Sequence, residues 1–175
     1  MKFIIGMVSR LEQGKGQDTL IAAVHILQPK FPGIEVLIVG EGDSKTTINL
    51  IDLITKYKLQ KIIKLTGYVK DVSKMMSKFD VQVFPTRWPL EGFGLVSLEA
   101  MLMHIPLVVS NFGPVPEVVG KCAILVDPNP QSLAEGIKKI IKNPEKGKAL
   151  AEKGYTRVRK LFDIKDVASE YEKLF

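Results

Sequence analysis

Cysteine is almost missing from this 175-residue chain: Cys122 stands alone, so no internal disulfide can form. That fits a reducing compartment. Histidine is nearly as scarce. His25 and His104 have no second histidine or cysteine at ligand spacing, so no metal site is expected. No apolar run approaches the ~18–20 residues that span a bilayer. The opening Met1-Lys2-Phe3-Ile4-Ile5 leads into a strand-like stretch without the pattern of a secretory signal, and a cytoplasmic location is expected. Two glycine fingerprints are also lacking. There is no G-x-x-x-x-G-K-[ST], which excludes a P-loop, and no G-x-G-x-x-G after the first strand. The second absence counts against a nucleotide-sugar epimerase or dehydrogenase.

Short β-branched runs alternate with stretches of helical periodicity. Strands are expected at 3–8, 34–39, 62–65, 81–84, 107–109 and 124–126. Helices are expected at 18–28, 44–57, 72–79, 93–103, 133–141, 145–161 and 164–174, with a helical turn at 116–119. In the first helix Leu20, Ile21, Val24 and Leu27 form the apolar stripe; in the second, Ile48, Ile51, Leu53 and Ile54 are expected to face inward. The helix at 93–103 is apolar enough to be expected buried on most sides. Strands alternating with helices imply βαβ units, a parallel sheet and right-handed crossovers that put helices on both faces. Wholly apolar strands such as Val36-Leu37-Ile38-Val39 agree. No repeat, low-complexity tract or linker interrupts the pattern, and one domain over 1–175 is expected.

Ligands of such sheets bind beyond the carboxyl ends of the strands. After the fourth strand comes Glu91-Gly92-Phe93-Gly94-Leu95-Val96-Ser97-Leu98-Glu99. Glycines at a helix start permit close approach to backbone N–H groups, and the helix dipole favours a phosphate there. Glu99 lies about 7.5 Å along the axis from Gly94 at 1.5 Å per residue, roughly the reach from a diphosphate to the ribose hydroxyls. Glu91 precedes the helix, on the side where a sugar carried by the diphosphate would sit. Taken alone, both glutamates could simply favour the positive end of the helix. After the first strand, Arg10 and Lys15 could converge on one phosphate, as a fork and a point charge, or be two solvated loop cations. Gly40-Glu41-Gly42 reads as a turn leading into a helix. Trp88 either projects into the cleft or packs as a hydrophobic plug among prolines, the reading favoured here. Glu117 caps a short helix or serves the site, Asp127 starts a turn, and His104 sits at a helix C-terminus.

Charge is uneven. Residues 138–160 carry nine basic residues against Glu145 and Glu152, so this segment is +7 of a chain whose net charge is +6. A solvated helical face is one reading, and contact with anionic lipid headgroups is another. Nucleic acid is not expected, because the segment has no aromatic ladder or known nucleic-acid module.

Taken together, the Arg10…Lys15-Gly16 loop, Gly40-x-Gly42, the Glu91-x7-Glu99 pair, Gly113-Pro114-Val115-Pro116-Glu117 and Ala123-Ile124-Leu125-Val126-Asp127-Pro128 resemble the carboxy-terminal domain of the retaining GT-B glycosyltransferases of family four, glycosyl transferases group 1. The resemblance runs from about Ile5 to Phe175. It implies one half of a GT-B fold: a Rossmann-like, doubly wound parallel six-stranded sheet. It also implies sugar transfer from a nucleoside-diphosphate sugar with retention and without a metal or other cofactor. By the same resemblance, Arg10 and Lys15 bind the diphosphate and stabilise its charge. Glu99 binds the ribose, Glu91 meets the transferred sugar near its anomeric carbon, and Gly94, Leu95 and Val96 offer N–H groups. Tyr68 and Val69 frame the base. The acceptor would belong to an amino-terminal domain that is not in this chain, so the isolated chain is expected to be inactive or very weak in transfer. A nucleotide-binding module without transfer chemistry is the alternative. Two features depart from the family: Ser9 stands where glycine is usual, and 85–91 is longer than the common Pro-Ser-x-x-Glu spacing.

Overall fold

The computed structural model describes residues 2–89 and 91–162. Six strands form one parallel sheet: β1 (Phe3–Val8), β2 (Ile34–Val39), β3 (Ile63–Leu65), β4 (Val81–Phe84), β5 (Leu107–Ser110) and β6 (Ile124–Val126). The order is β3-β2-β1-β4-β5-β6. The chain therefore winds outward from β1 to β3, then returns to lay β4 against the other side of β1. The direction of winding reverses between β1 and β4, which opens a crevice at their carboxyl ends.

Among the described residues five helices connect the strands, α1 (Gln17–Leu27), α2 (Ser44–Lys56), α3 (Val72–Met76), α4 (Leu95–Leu102) and α5 (Val115–Val119), and two follow β6, α6 (Pro130–Lys142) and α7 (Pro144–Leu161). Alternate residues of each strand point to opposite faces, and the core divides accordingly. Ile5, Met7, Val81, Val83 and Val108 join Leu20, Ile21, Leu50, Ile54, Leu133 and Ile137 under α1, α2 and α6. On the other face Phe84, Leu107 and Val109 join Leu98, Met101, Val115 and Val158 under α4, α5 and α7. Full burial of such a side chain stabilises the fold by roughly 1.5–3 kcal/mol relative to exposure.

Helix ends shift by up to three residues from expectation, as where α3 stops at Met76 and α6 starts at Pro130, and two helices differ in the face they bury. In α2 the inward stripe is Leu50 and Ile54, with Leu53 partly buried against the same core. Ile48 and Ile51, by contrast, are 56% and 49% exposed. The fourth helix begins at Leu95 rather than at residue 93 and is not buried on most sides. Leu95, Glu99 and Leu102 recur at i, i+4 and i+7 and form an exposed face. Leu95 and Glu99 on that face line the crevice instead of the core. The helix expected at 164–174 lies outside the described residues.

Local chemistry sets the helix starts. Asp43 caps α2, its carboxylate accepting from the Thr46 N–H at 2.8 Å and from the Thr46 hydroxyl at 2.7 Å. These bonds hold its pKa below the ordinary 3.8. The Gly40-Glu41-Gly42 turn does more than lead into α2. Leu11 donates its N–H to the Glu41 carbonyl at 2.8 Å, which ties the loop after β2 to the loop after β1. His104 follows α4 at φ 54, as expected for a helix end, and its ring also stacks on Tyr155 and meets Glu152.

Candidate donor site

The crevice between β1 and β4 is a cleft of about 410 Å³. Val8, Ser9, Arg10 and Lys15 line one wall. Phe84, Glu91, Phe93 and the start of α4 with Gly94, Leu95, Val96 and Glu99 line the other. Seven of the nine residues expected to bind a donor are thus brought together. Tyr68 and Val69 are not in this lining. They follow β3 on the same carboxyl edge, with Tyr68 71% exposed and Val69 partly buried in the core under α4.

The loop after β1 is braced from below. Gln17, in the first turn of α1, is 2% exposed and donates from Nε2 to the Ser9 hydroxyl at 2.9 Å and to the Arg10 carbonyl at 2.7 Å. Ser9, the departure from the usual glycine, is therefore held by this glutamine. Gly16 makes the turn into α1 at φ 93, where a Cβ would lie 2.2 Å from the Pro85 carbonyl oxygen. A side chain there would both strain the backbone and force apart the loops after β1 and β4.

Lys15 and Glu91 meet across the cleft floor. Lys15 Nζ is 2.9 Å from Glu91 Oε2, and the side chains are only 12% and 10% exposed. Thr86, fully buried, lies with its hydroxyl 3.1 Å from the same carboxylate oxygen. Arg10 stands at the rim instead, with its side chain 77% exposed and 3.2 Å from Glu12. Trp88 packs as expected from its context, partly buried against Gly14, with its ring centroid 5.6 Å from Lys15 Nζ.

On the opposite wall, Gly94 caps α4 at φ 67, with Phe84 Cε1 2.9 Å from where a Cβ would be. No side chain caps this helix. A helix start leaves its first N–H groups unpaired, and here they border the cleft. Glu99 is exposed one turn on from Leu95. Phe93 packs edge-to-face on Phe162 at 5.5 Å, which ties the glycine-rich turn to the end of α7. The cleft therefore offers two cations, an uncapped helix start and two carboxylates at different depths. This arrangement suits an extended anion with hydroxyl groups at both ends.

Sequence reasoning missed Gln17, Thr86 and Phe162. Gln17 had one readable signal, a polar residue at the buried side of a helix start directly after the loop it braces. The partners of Thr86 and Phe162 depend on tertiary folding and have no local pattern.

Strand order and the position of the cleft define a Rossmann-like half of the two-domain GT-B architecture. The chain belongs to the glycosyl transferases group 1, whose family model matches residues 1–157. It is 28% identical to the capsular polysaccharide biosynthesis glycosyltransferase CapM of Staphylococcus aureus, covering 99% of this chain and 46% of that protein. It is 30% identical to glycogen synthase of Mycobacterium tuberculosis, covering 93% of this chain and 39% of that protein. The chain thus spans less than half the length of these curated relatives. Among solved structures, HepE of Anabaena in complex with UDP superposes with a TM-score of 0.92 at 27% identity, covering 99% of this chain and 48% of HepE. The C-terminal domain of a group 1 glycosyl transferase, LpcC of Francisella tularensis, shares the fold with a TM-score of 0.83 at 24% identity, covering 93% of this chain and 87% of that one.

Proposed function

We propose that the chain is the donor-binding domain of a retaining glycosyltransferase and takes a nucleoside-diphosphate sugar in the β1/β4 cleft. The observation that carries this reading is the Lys15–Glu91 pair beside the uncapped start of α4, one group suited to phosphate and the other to sugar. In this reading Arg10 and Lys15 bind the diphosphate and stabilise the charge that grows on it as the glycosidic bond breaks. The N–H groups of Gly94, Leu95 and Val96 assist them. Glu99 accepts the ribose hydroxyls, Glu91 accepts a sugar hydroxyl near the anomeric carbon, and Tyr68 and Val69 border the base. The leaving phosphate itself takes the acceptor's proton on the same face, so retention needs no general base from this domain and no metal. The two glutamates serve different parts of one donor and do not form a glycosidase pair.

The acceptor belongs to an amino-terminal domain of the same enzyme, and this chain alone transfers sugar very weakly. The share of each relative that the chain covers supports this division. Calorimetric titration with UDP, GDP and ADP, and then with their glucose forms, tests the reading. Saturable binding of one base series supports it, and no binding by any of the six refutes it. UDP is the first choice because the structural relative HepE was solved with UDP.

A cytoplasmic location goes with this reading, and the basic segment is either a solvated helical face or a peripheral contact with anionic lipid, which vesicles distinguish. Lys146, Lys153 and Lys160 recur at seven-residue spacing on the exposed side of α7, and Lys142 is exposed at the end of α6. No described helix is long and apolar enough to cross a membrane. Vesicles of phosphatidylglycerol should retain the protein at low salt and release it at high salt. Equal retention by neutral vesicles would leave only a solvated face.

A further inference from the structure

We infer that Thr86, Arg87 and Trp88 form a positioning bracket that sets Lys15 and Glu91 in register for the donor, with Arg87 acting through the Lys15 loop. This inference rests on the donor-site reading above. The bracket occupies the part of the chain that is longer than the usual spacing between β4 and the glutamate.

Arg87 grips the Lys15 loop from both sides of the lysine. Its backbone N–H donates to the Gly14 carbonyl at 2.8 Å. Its guanidinium donates to Asp18 Oδ1 at 3.1 Å and to the Thr19 hydroxyl at 2.7 Å, and a second nitrogen meets Asp18 Oδ2. Lys15 lies between these two anchor points, so its backbone cannot drift without breaking a fork of several bonds. Trp88 limits the side chain itself, because its ring lies against Gly14 and faces the ammonium. Thr86 completes the device. Its oxygen accepts the Trp88 N–H at 3.2 Å and donates its proton to Glu91 Oε2 at 3.1 Å. The Glu91 N–H in turn donates to the Trp88 carbonyl at 3.1 Å. One short segment therefore orients the cation from one loop and the carboxylate from the next. None of its three side chains lines the cleft, so none touches the donor directly.

The forked geometry makes a specific demand. A lysine in place of Arg87 keeps the charge but cannot bond Asp18 and Thr19 together, since its ammonium is a single point. A loss confined to ligand affinity would then mark positioning rather than folding.

The test uses the 175-residue chain with UDP and UDP-glucose, or the base series that the titration above selects, and a thermal melt for each variant. Arg87→Lys should melt within a few degrees of the parent and bind the nucleoside diphosphate about tenfold more weakly. In a Lys15→Met background, Arg87→Lys should cause little further loss, because its effect passes through Lys15. Thr86→Val is nearly isosteric and should act on the other side. It should leave diphosphate affinity within about twofold and reduce the extra affinity contributed by the attached sugar. Trp88 is the only tryptophan, so its emission follows the loop in every variant. Unchanged affinity in Arg87→Lys would overturn the inference, as would an equal loss with and without Lys15. If Arg87→Lys does not fold, the Thr86→Val comparison decides, and an unchanged sugar contribution there overturns it. If the parent chain binds none of the nucleotides, the donor-site reading fails and takes this inference with it. That outcome is distinct from a parent that binds and variants that make no difference.

Discussion

Lys15 Nζ and Glu91 Oε2, 76 residues apart in sequence, are 2.9 Å apart at the floor of the cleft. The contact joins the loop after β1 to the loop after β4 at the point where the sheet reverses its winding. Both side chains are largely covered, so this pair is screened less than a surface ion pair. It also gives Glu91 a second task. Oε2 is engaged by Lys15 and Thr86, while Oε1 has no hydrogen-bond partner among the described residues. In the proposed donor reading, an incoming diphosphate would share the ammonium with this carboxylate, and Oε1 would be the oxygen left to meet a sugar.

Removing the two cations should therefore have unequal side effects. Lys15→Ala and Arg10→Ala should each weaken diphosphate binding, since a charge-assisted hydrogen bond is worth about 1.5–3 kcal/mol, roughly 10- to 150-fold. Arg10→Ala should leave the melting temperature unchanged, because that side chain is 77% exposed. Lys15→Ala should lower it, because a nearly buried carboxylate loses its partner. Calorimetry and thermal melts on the two variants check both statements. Equal melting temperatures would mean that Glu91 is solvated when Lys15 is gone.

The strand pattern was nearly complete in the sequence: β1, β2, β4 and β6 start and end where period and composition place them. Strands buried on both faces are short apolar runs, and flanking turn residues mark their ends. Helix faces were harder to read. Ile48 and Ile51 satisfy a helical period as well as Leu50 and Ile54 do, and only tertiary packing decides which pair is covered. The same holds for α4, whose apolar Leu95 lines the cleft while Leu102 is exposed at its far end. Within the site, seven of the residues that line the cleft were legible as motif residues. Their supports were not. Arg87 reaches Asp18 across 69 residues and Thr86 reaches Glu91 through a turn, and neither contact leaves a local pattern.

Gly16 is expected to be intolerant of any side chain. An L-residue in the left-handed region is strained by about 1–2 kcal/mol, and a Cβ would fall 2.2 Å from the Pro85 carbonyl oxygen. That contact is with backbone, so no rotamer change can relieve it. Gly16→Ala should lower stability by roughly 2–4 kcal/mol in denaturant titration. It should also weaken nucleotide binding, because the Lys15 and Pro85 loops must separate. A variant with parental stability would show that the two loops are free to move apart.

The cap on α2 gives the fold a pH-dependent contribution. Hydrogen bonds from the Thr46 N–H and then its hydroxyl hold the Asp43 pKa below 3.8. A depressed folded-state pKa means that the stabilisation is fully present above the unfolded value and is lost as pH falls through the folded one. Asp43→Ala should therefore melt below the parent at neutral pH, and the gap should hold down to about pH 5 and narrow below pH 4. Melting curves from pH 3 to 7 read this directly, and a constant gap throughout would assign the effect to helix propensity rather than to the carboxylate.

The two glutamates should separate in a comparison of each variant against a nucleoside diphosphate and its sugar-bearing form. Glu99 is exposed beside the start of α4 with the reach of a ribose ligand, so Glu99→Ala should weaken both ligands alike. Glu91 is held at the cleft floor by Lys15 and Thr86. Glu91→Ala releases the ammonium, so diphosphate affinity should stay within about threefold or improve, since the cation no longer has a competing partner. The added affinity contributed by the sugar should fall. In the enzyme with its acceptor domain, turnover should fall further than nucleotide binding does, as expected of a contact felt mainly in the transition state. A second replacement sharpens the comparison. Glu91→Gln keeps an acceptor for the sugar hydroxyl and a partner for Thr86 but loses the charge that holds Lys15. It should bind diphosphate as Glu91→Ala does and retain more of the sugar contribution. If Glu91→Ala instead damages plain diphosphate binding as severely as Glu99→Ala, the carboxylate is needed to orient Lys15 for the phosphate, and the division of the two glutamates between sugar and ribose fails.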